Sequence, residues 1–159
     1  MSLVAVQGFV QGVVTGVAVT AYPTPLTSYI APPIPGDAGV PGAYIWGGTV
    51  NERRQTAPRG QGFKELLWMV DIWLLVIQSN DRVDSDTAFP SMVDAVMDAL
   101  RTTPMPLTIT DPVTGVLSQV ISVGEQMDLD YSPVHTVADQ VDVQYVALLR
   151  CSVKEVLQG

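Results

Sequence analysis

The 159-residue sequence is poor in charged side chains, and this shortage limits what its surface can be. Charged residues make up 15% of the chain and hydrophobic residues 47%, whereas about 25% charged is usual in a soluble domain. The length predicts a single domain, residues 1–159, whose surface must include apolar groups. Because large apolar patches usually mark interfaces, we expect oligomerisation or a large partner.

Cysteine and histidine are nearly absent, and their scarcity excludes several kinds of site. Cys151, the one cysteine, cannot form an intrachain disulfide, and with the one histidine, His135, it cannot complete a zinc site. A Ser-His-Asp triad would depend on His135, which lies in a loop-like segment. We therefore expect no enzymatic activity, no metal and no cofactor. An enzyme site built on Asp128, Asp130 and His135 is the weakest alternative.

Basic residues are also few, with eight against sixteen acidic residues and a net charge of −8. Nucleic acid binding through a broad basic face is disfavoured, because phosphate neutralisation needs clustered Lys and Arg. The basic residues that do lie together are Arg53, Arg54, Arg59 and Lys64. This group is typical of a short basic arm, and a specific anion site is the alternative.

Residues 3–21, LVAVQGFVQGVVTGVAVTA, predict a helix with a stripe of small and polar residues. Gly8, Gly12 and Gly16 recur every four positions, and the opposite face is apolar. The run is shorter than the ~20 apolar residues of a membrane span, and no basic residue precedes it as in a signal peptide. We expect this helix to dock on something other than a membrane. A small membrane protein anchored through residues 3–21 is the alternative.

Proline and glycine dominate the next segment, residues 22–42, which contains six prolines and three glycines. This density predicts an extended connector without regular structure. A short strand is predicted at residues 43–46, AYIW, and the polar segment NERRQTAPRGQG follows it.

The most hydrophobic segment, LLWMVDIWLLVI at residues 66–77, has one charge, Asp71. Its Trp, Val and Ile residues favour a strand, and a period of two gives one wholly apolar face and one mixed face. Leu67, Met69, Asp71 and Trp73 lie on the mixed face. Such a strand would span roughly 40 Å, long for this domain, so we expect another subunit to cover it. The mixed face is our candidate for subunit packing.

The remaining segments predict a helix, a hairpin and a strand. Apolar residues spaced three and four apart follow the candidate caps Asp84, Ser85 and Asp86, and the helix should end before Pro104. A hairpin is predicted at residues 107–110 and 116–123, and a strand at residues 141–153. The fold class is therefore α+β, with a mostly antiparallel sheet and helices packed on one face.

This order of elements resembles the tail terminator proteins of long-tailed bacteriophages. The similar features are an N-terminal helix, a Pro-rich connector with Y-P-x-P at residues 22–25, a short strand, a basic segment, a long apolar strand, one helix and closing strands. The resemblance implies a non-enzymatic virion protein, assembled in the host cytoplasm into a hexameric ring. Such a ring ends polymerisation of the tail tube protein and joins the tail to the head connector.

The resemblance also implies that DNA passes through the ring without specific binding. Six copies would carry roughly −48, and a lumen of like charge lets DNA slide. We expect Arg53, Arg54 and Arg59 to contact acidic neighbours, Asp71 of the next subunit being one candidate. The alternative for Asp71 is a Lys or backbone partner in its own subunit. The alternative function is a head-completion or stopper ring of the phage neck.

Overall fold

The structure, a computed structural model, describes residues 1–20, 22, 24–34, 40–56, 62–79, 85–132, 135–136 and 142–158. These residues form two helices, α1 (Leu3–Val14) and α2 (Ser85–Thr102), and seven strands. The strands are β1 (Thr27–Tyr29), β2 (Gly42–Thr56), β3 (Gly62–Ser79), β4 (Leu107–Thr110), β5 (Leu117–Tyr131), β6 (His135–Thr136) and β7 (Asp142–Gln158). The predicted α+β class is confirmed.

One sheet contains all these strands, in the order β1-β2-β3-β7-β5-β4, with β6 paired to β7. The pairing of β1 with β2 is parallel, and the other pairs are antiparallel, as expected for a mostly antiparallel sheet. The strand predicted at residues 66–77 lies within β3, in the middle of the sheet. β2 and β7 flank β3 along almost its whole length. β3 is therefore not too long for its own subunit, contrary to expectation, because β2 and β7 are nearly as long. Coverage of its mixed face by another subunit stays a prediction.

Both helices pack on the same face of the sheet and bury the apolar face of β3. Along that face every side chain is buried, namely Leu66, Trp68, Val70, Ile72, Leu74 and Val76. Val6, Val10 and Val14 of α1 and Phe89 and Met92 of α2 join the same core. Full burial of one such side chain contributes roughly 1.5–3 kcal/mol, so this one-sided core provides most of the driving force for folding.

Helix α1 is shorter than the predicted 3–21. It begins after Ser2, whose hydroxyl accepts a hydrogen bond from the Ala5 N–H at 3.3 Å. It ends at Val14, because Thr15 is extended and Gly16 has φ +80°, outside the helical region. The expected docking partner is its own sheet: the Gln11 amide donates to the Ser28 carbonyl at 3.1 Å, and the Gln7 amide to the Gly47 carbonyl at 3.5 Å.

Two segments contain more strand than predicted. The connector, expected to lack regular structure, forms β1 at Thr27–Tyr29. β2 does not stop at Trp46 but continues through the polar residues to Thr56, because β3 offers it a partner edge as far as Gly62. A bulge between Ile45 and Gly48 shifts the register and allows the long strand to bend.

The C-terminal half also continues beyond its predicted ends. Helix α2 and the start of the hairpin lie where expected, but β5 runs on to Tyr131 and β7 to Gln158. β5 has two register shifts, between Val120 and Ser122 and between Val123 and Met127, and it continues past its predicted end at Val123. His135, expected in a loop, lies in β6 opposite Gln144 of β7.

The start of the chain is held by two carboxylates. Glu155 of β7 is fully buried, forms an ion pair with the α-amino group of Met1, and accepts a hydrogen bond from the Trp68 indole at 3.0 Å. Asp111 accepts from the Ser2 N–H at 2.6 Å and from the Val113 N–H at 2.8 Å. The Val113 hydrogen bond, with that from Ser2, lowers the pKa of Asp111 to about 2.

Replacing glycine by alanine should have opposite effects on stability in the bulge and in α1. At Gly48, with φ +139°, a Cβ would lie 2.5 Å from the Met69 carbonyl oxygen, so Gly48→Ala should lower the free energy of unfolding by about 1–3 kcal/mol. At Gly12 a Cβ meets nothing within 4 Å, so Gly12→Ala should raise it by about 0.5–1 kcal/mol. Urea unfolding of both variants measures the difference. Equal stability of the two would contradict the geometry of the bulge.

Asp111 should make stability depend on pH in the acid range. Its pKa falls from 3.8 unfolded to about 2 folded, so its contribution is complete above the unfolded pKa and disappears as pH falls towards the folded one. Asp111→Asn should therefore be less stable than the wild type at neutral pH, with the difference shrinking towards about pH 2.5. Urea unfolding across this range tests it, with Asp98→Asn on α2 as the control. A difference independent of pH would contradict the assignment.

Candidate interaction surface

The sheet has an open face, defined as the side opposite α1 and α2. Leu67, Met69, Asp71 and Trp73 lie there and are partly exposed, since alternate residues of a strand point to the same side. The four residues predicted for the mixed face of β3 thus share one surface. At the end of the same row Leu75 and Ile77 are buried, so the open face is accessible mainly along the first two-thirds of β3.

Charged residues form a row across the open face. Arg150 of β7 lies directly opposite Asp71 on one side and Asp128 of β5 on the other. The Arg150 Nε is 3.5 Å from the Asp71 Oδ1, and a terminal nitrogen of the same guanidinium is 3.7 Å from an Asp130 oxygen. Asp71 therefore has a partner in its own subunit, but it is an arginine and not the lysine or backbone group considered from the sequence.

The row carries more negative than positive charge. Asp71, Asp128 and Asp130 lie around Arg150, whose side chain is 45% exposed. Ion pairs this accessible contribute about 0–1 kcal/mol each, because water and salt screen them. The row is thus too weak to account for the stability of the fold. It can instead orient a partner that brings positive charge.

The open face also has a groove of about 730 Å³, and Asp71, Asp128 and Arg150 of the row are among its lining residues. Its lining includes Thr49 and Asn51 of β2, Leu67 and Met69 of β3, and Gln126 of β5. These side chains offer amide and hydroxyl groups next to apolar ones, which is the composition of a protein interface. The groove can therefore accept a protuberance of another protein surface.

The predicted basic residues lie away from Asp71. Arg53 is exposed and faces Glu65, six positions along β3 from Asp71, or roughly 20 Å. Arg54 is also exposed, and its Nε donates to Glu52 at 2.9 Å; this hydrogen bond lowers the pKa of Glu52. An Arg53–Asp71 contact thus requires a second subunit and stays a prediction. Arg59 lies outside the described residues.

The groups considered for chemistry are placed as follows. Cys151 is fully buried in the core, and burial raises the pKa of its thiol to about 12, so it is not poised as a nucleophile. Asp128 and Asp130 lie on the open face beside Arg150. Nowhere in the described ranges do three His, Cys, Asp or Glu side chains come together as metal ligands would.

Of the two helices described, neither is both long and apolar enough to cross a membrane. No family model matches the sequence, and no curated protein matches it.

Replacing Asp71 should affect assembly more than folding. Asp71→Ala removes one half-exposed ion pair and should lower the free energy of unfolding of the subunit by about 0.2–1 kcal/mol. If Asp71 also meets a neighbouring subunit, the same change should weaken self-association by a larger amount. Urea unfolding and sedimentation separate the two effects. Asp98→Ala, which removes an exposed acid 3.6 Å from Arg101 on α2, is the control. Equal loss of folding and assembly would mean that Asp71 contacts no neighbouring subunit.

Proposed function

We propose that the protein is the subunit of a ring that caps a bacteriophage tail tube. The ring ends polymerisation of the tube and joins the tail to the head connector, and DNA passes through its centre. The observation that carries the proposal is the one-sided sheet: both helices cover one face, while Leu67, Met69, Asp71 and Trp73 stay accessible on the other. A subunit with a long sheet and one uncovered face suits an assembly in which neighbours meet around a channel.

The composition supports the same function. With only 15% charged residues the subunit has an apolar surface that association would cover. Trp46 and Val50 of β2 and Leu117 of β5 are each about half exposed or more, so association could cover them. The order of helix, connector, long strand, helix and closing strands agrees with the resemblance to tail terminators.

The net charge suits a channel for DNA. Each subunit carries −8, so a hexameric ring would carry roughly −48 and repel a phosphate backbone. Repulsion prevents DNA from adhering to the ring during passage. The partners would be the tail tube protein on one side of the ring and the connector or stopper protein on the other. The ring would be part of the virion and would be assembled in the host cytoplasm.

Mass in solution and electron microscopy test the ring. We expect the purified protein to form closed rings of about six times the 17.1 kDa subunit mass and to bind the ends of tail tubes. Addition of the protein to polymerising tube protein should stop growth in proportion to its concentration. A protein that is monomeric at all concentrations and leaves tube growth unchanged would overturn the proposal.

The appearance of phage particles made without the protein distinguishes a tail terminator from the alternative, a stopper ring. Both would assemble as rings. Particles made without the protein should have tails of uncontrolled length and heads without tails. Tails of normal length that fail to join heads would assign the protein to the stopper ring of the neck.

A further inference from the structure

The groove on the open face is short of positive charge. Asp71, Asp128 and Asp130 share the guanidinium of Arg150, which leaves these four residues with a net charge of −2. Arg150 is 3.5 Å from Asp71 and 3.7 Å from Asp130, and among the described residues Asp128 has no cation within ion-pair distance. Asp128 and Asp130 are both exposed. The carboxylates can therefore accept a further cation from outside the subunit.

Three cations lie together at one end of the sheet. Arg53 and Arg54 are near the end of β2, and Lys64 of β3 lies directly opposite Arg54. With Glu52, which is 2.9 Å from Arg54 and 3.2 Å from Lys64, they carry a net charge of +2 in a chain of −8. The Arg54 side chain is 73% exposed and that of Lys64 44%, and Arg53 is exposed as well. We call these four residues the basic end.

The basic end cannot reach the groove of its own subunit. Arg53 faces Glu65, six positions along β3 from Asp71, or roughly 20 Å. That distance is longer than an arginine side chain. Glu65 itself is paired with Lys154 at 3.3 Å. The positive basic end and the negative groove can therefore meet only between two copies of the chain.

The lining of the groove suits the side chains of the basic end. Leu67 and Met69 offer apolar surface to the long stems of arginine and lysine, whose charged groups can then reach the carboxylates of the row. Asn51 and Gln126 offer amide groups to the backbone at the end of a strand. Apolar and polar groups thus lie side by side, as in a protein interface.

A contact of this kind joins different surfaces of the two copies. Each subunit gives its basic end to one neighbour and receives the basic end of the other in its groove, which is the head-to-tail arrangement from which rings close. A rotation produces no displacement along its own axis, so the line from groove to basic end must lie across the ring axis. Because that line runs mainly along the strands, the strands run around the ring and not along its channel. In a six-membered ring the contacts then lie roughly 20 Å from the axis.

We propose that the basic end of one copy docks in the open-face groove of the next copy and that this contact closes the ring. The inference rests on the proposed function and specifies the two surfaces that join the subunits. It assigns Asp71, Asp128 and Asp130 as the acidic neighbours of Arg53 and Arg54. Because the contact pairs accessible charges, it weakens as the salt concentration rises.

An exchange of charge tests the pairing. Arg53→Glu with Arg54→Glu makes the basic end acidic like the groove, and Asp128→Lys with Asp130→Lys makes the groove basic like the basic end. Each double variant alone should be monomeric under conditions in which the wild type forms rings, because like charges then meet. An equal mixture should form rings again, in which the two variants alternate. Native mass spectrometry measures the composition, and Asp94→Lys with Asp98→Lys on α2 is the control.

The outcomes separate the contact from the proposed function. Rings formed by either charge variant alone would overturn the contact and leave the proposed ring intact. Folded variants whose mixture stays monomeric would overturn the contact as well. A wild type that is monomeric at all concentrations would overturn both. Circular dichroism verifies folding. If a double variant does not fold, Arg53→Glu and Asp128→Lys alone should each weaken self-association at least about tenfold and restore it when mixed.

A short bismaleimide cross-linker shows which surfaces touch. Glu52→Cys makes the basic end more positive, and Gln126→Cys leaves the charge of the groove unchanged, so both variants should still assemble. Cys151 is buried and should not react. A mixture of the two variants should give covalently linked pairs of subunits, whereas either variant alone, or mixed with Asp98→Cys, should give none.

The cross-linked products also report the symmetry of the contact. An assembled mixture without covalent pairs would overturn the docking contact. Links between two Glu52→Cys copies would overturn it too, because they indicate a two-fold contact through β2. A wild type that assembles only into two-fold dimers, with residue 52 linked to residue 126 in the mixture, would support the contact and overturn the proposed function.

Discussion

The two-residue alternation of β3 is the constraint on which the rest of the structure depends. Each side chain must point either to the helices or to the open face, and the only charge between Leu66 and Ile77 falls on the open side. A slip of one residue against β2 or β7 would turn Asp71 into the core beneath the helices, where an unpaired carboxylate costs several kcal/mol. The register of the three longest strands is therefore fixed by a single pattern.

Elements with a strong internal period could be predicted, whereas those fixed by a neighbour could not. β3 and α2 lie where alternation and helical spacing indicated, because burial of one face determines both. The polar half of β2 has no such pattern: Asn51–Arg54 is strand because β3 supplies its hydrogen-bonding partners. The three residues of β1 depend in the same way on β2. The end of α1 depends on the positive φ of Gly16, which the spacing of apolar residues does not indicate.

The candidate surface could be predicted in part for the same reason. The alternation of side chains along a strand was enough to place Leu67, Met69, Asp71 and Trp73 on one face of β3. Arg150 was missed, because its place beside Asp71 depends on the register of two strands far apart in the chain. One signal was available: Arg150 is the one cation of the predicted strand 141–153, out of phase with the apolar Leu149 and Cys151.

The ion pair between Met1 and Glu155 joins residues 154 positions apart, across nearly the whole chain. Helix α1 is synthesised first, yet the carboxylate that holds its start lies in the last strand. Contacts of such separation close late, because the chain entropy of a long loop must be lost before they form. Before β7 is added, the sheet that forms the open face is therefore incomplete. The surface that we propose for association exists only once β7 has joined the sheet.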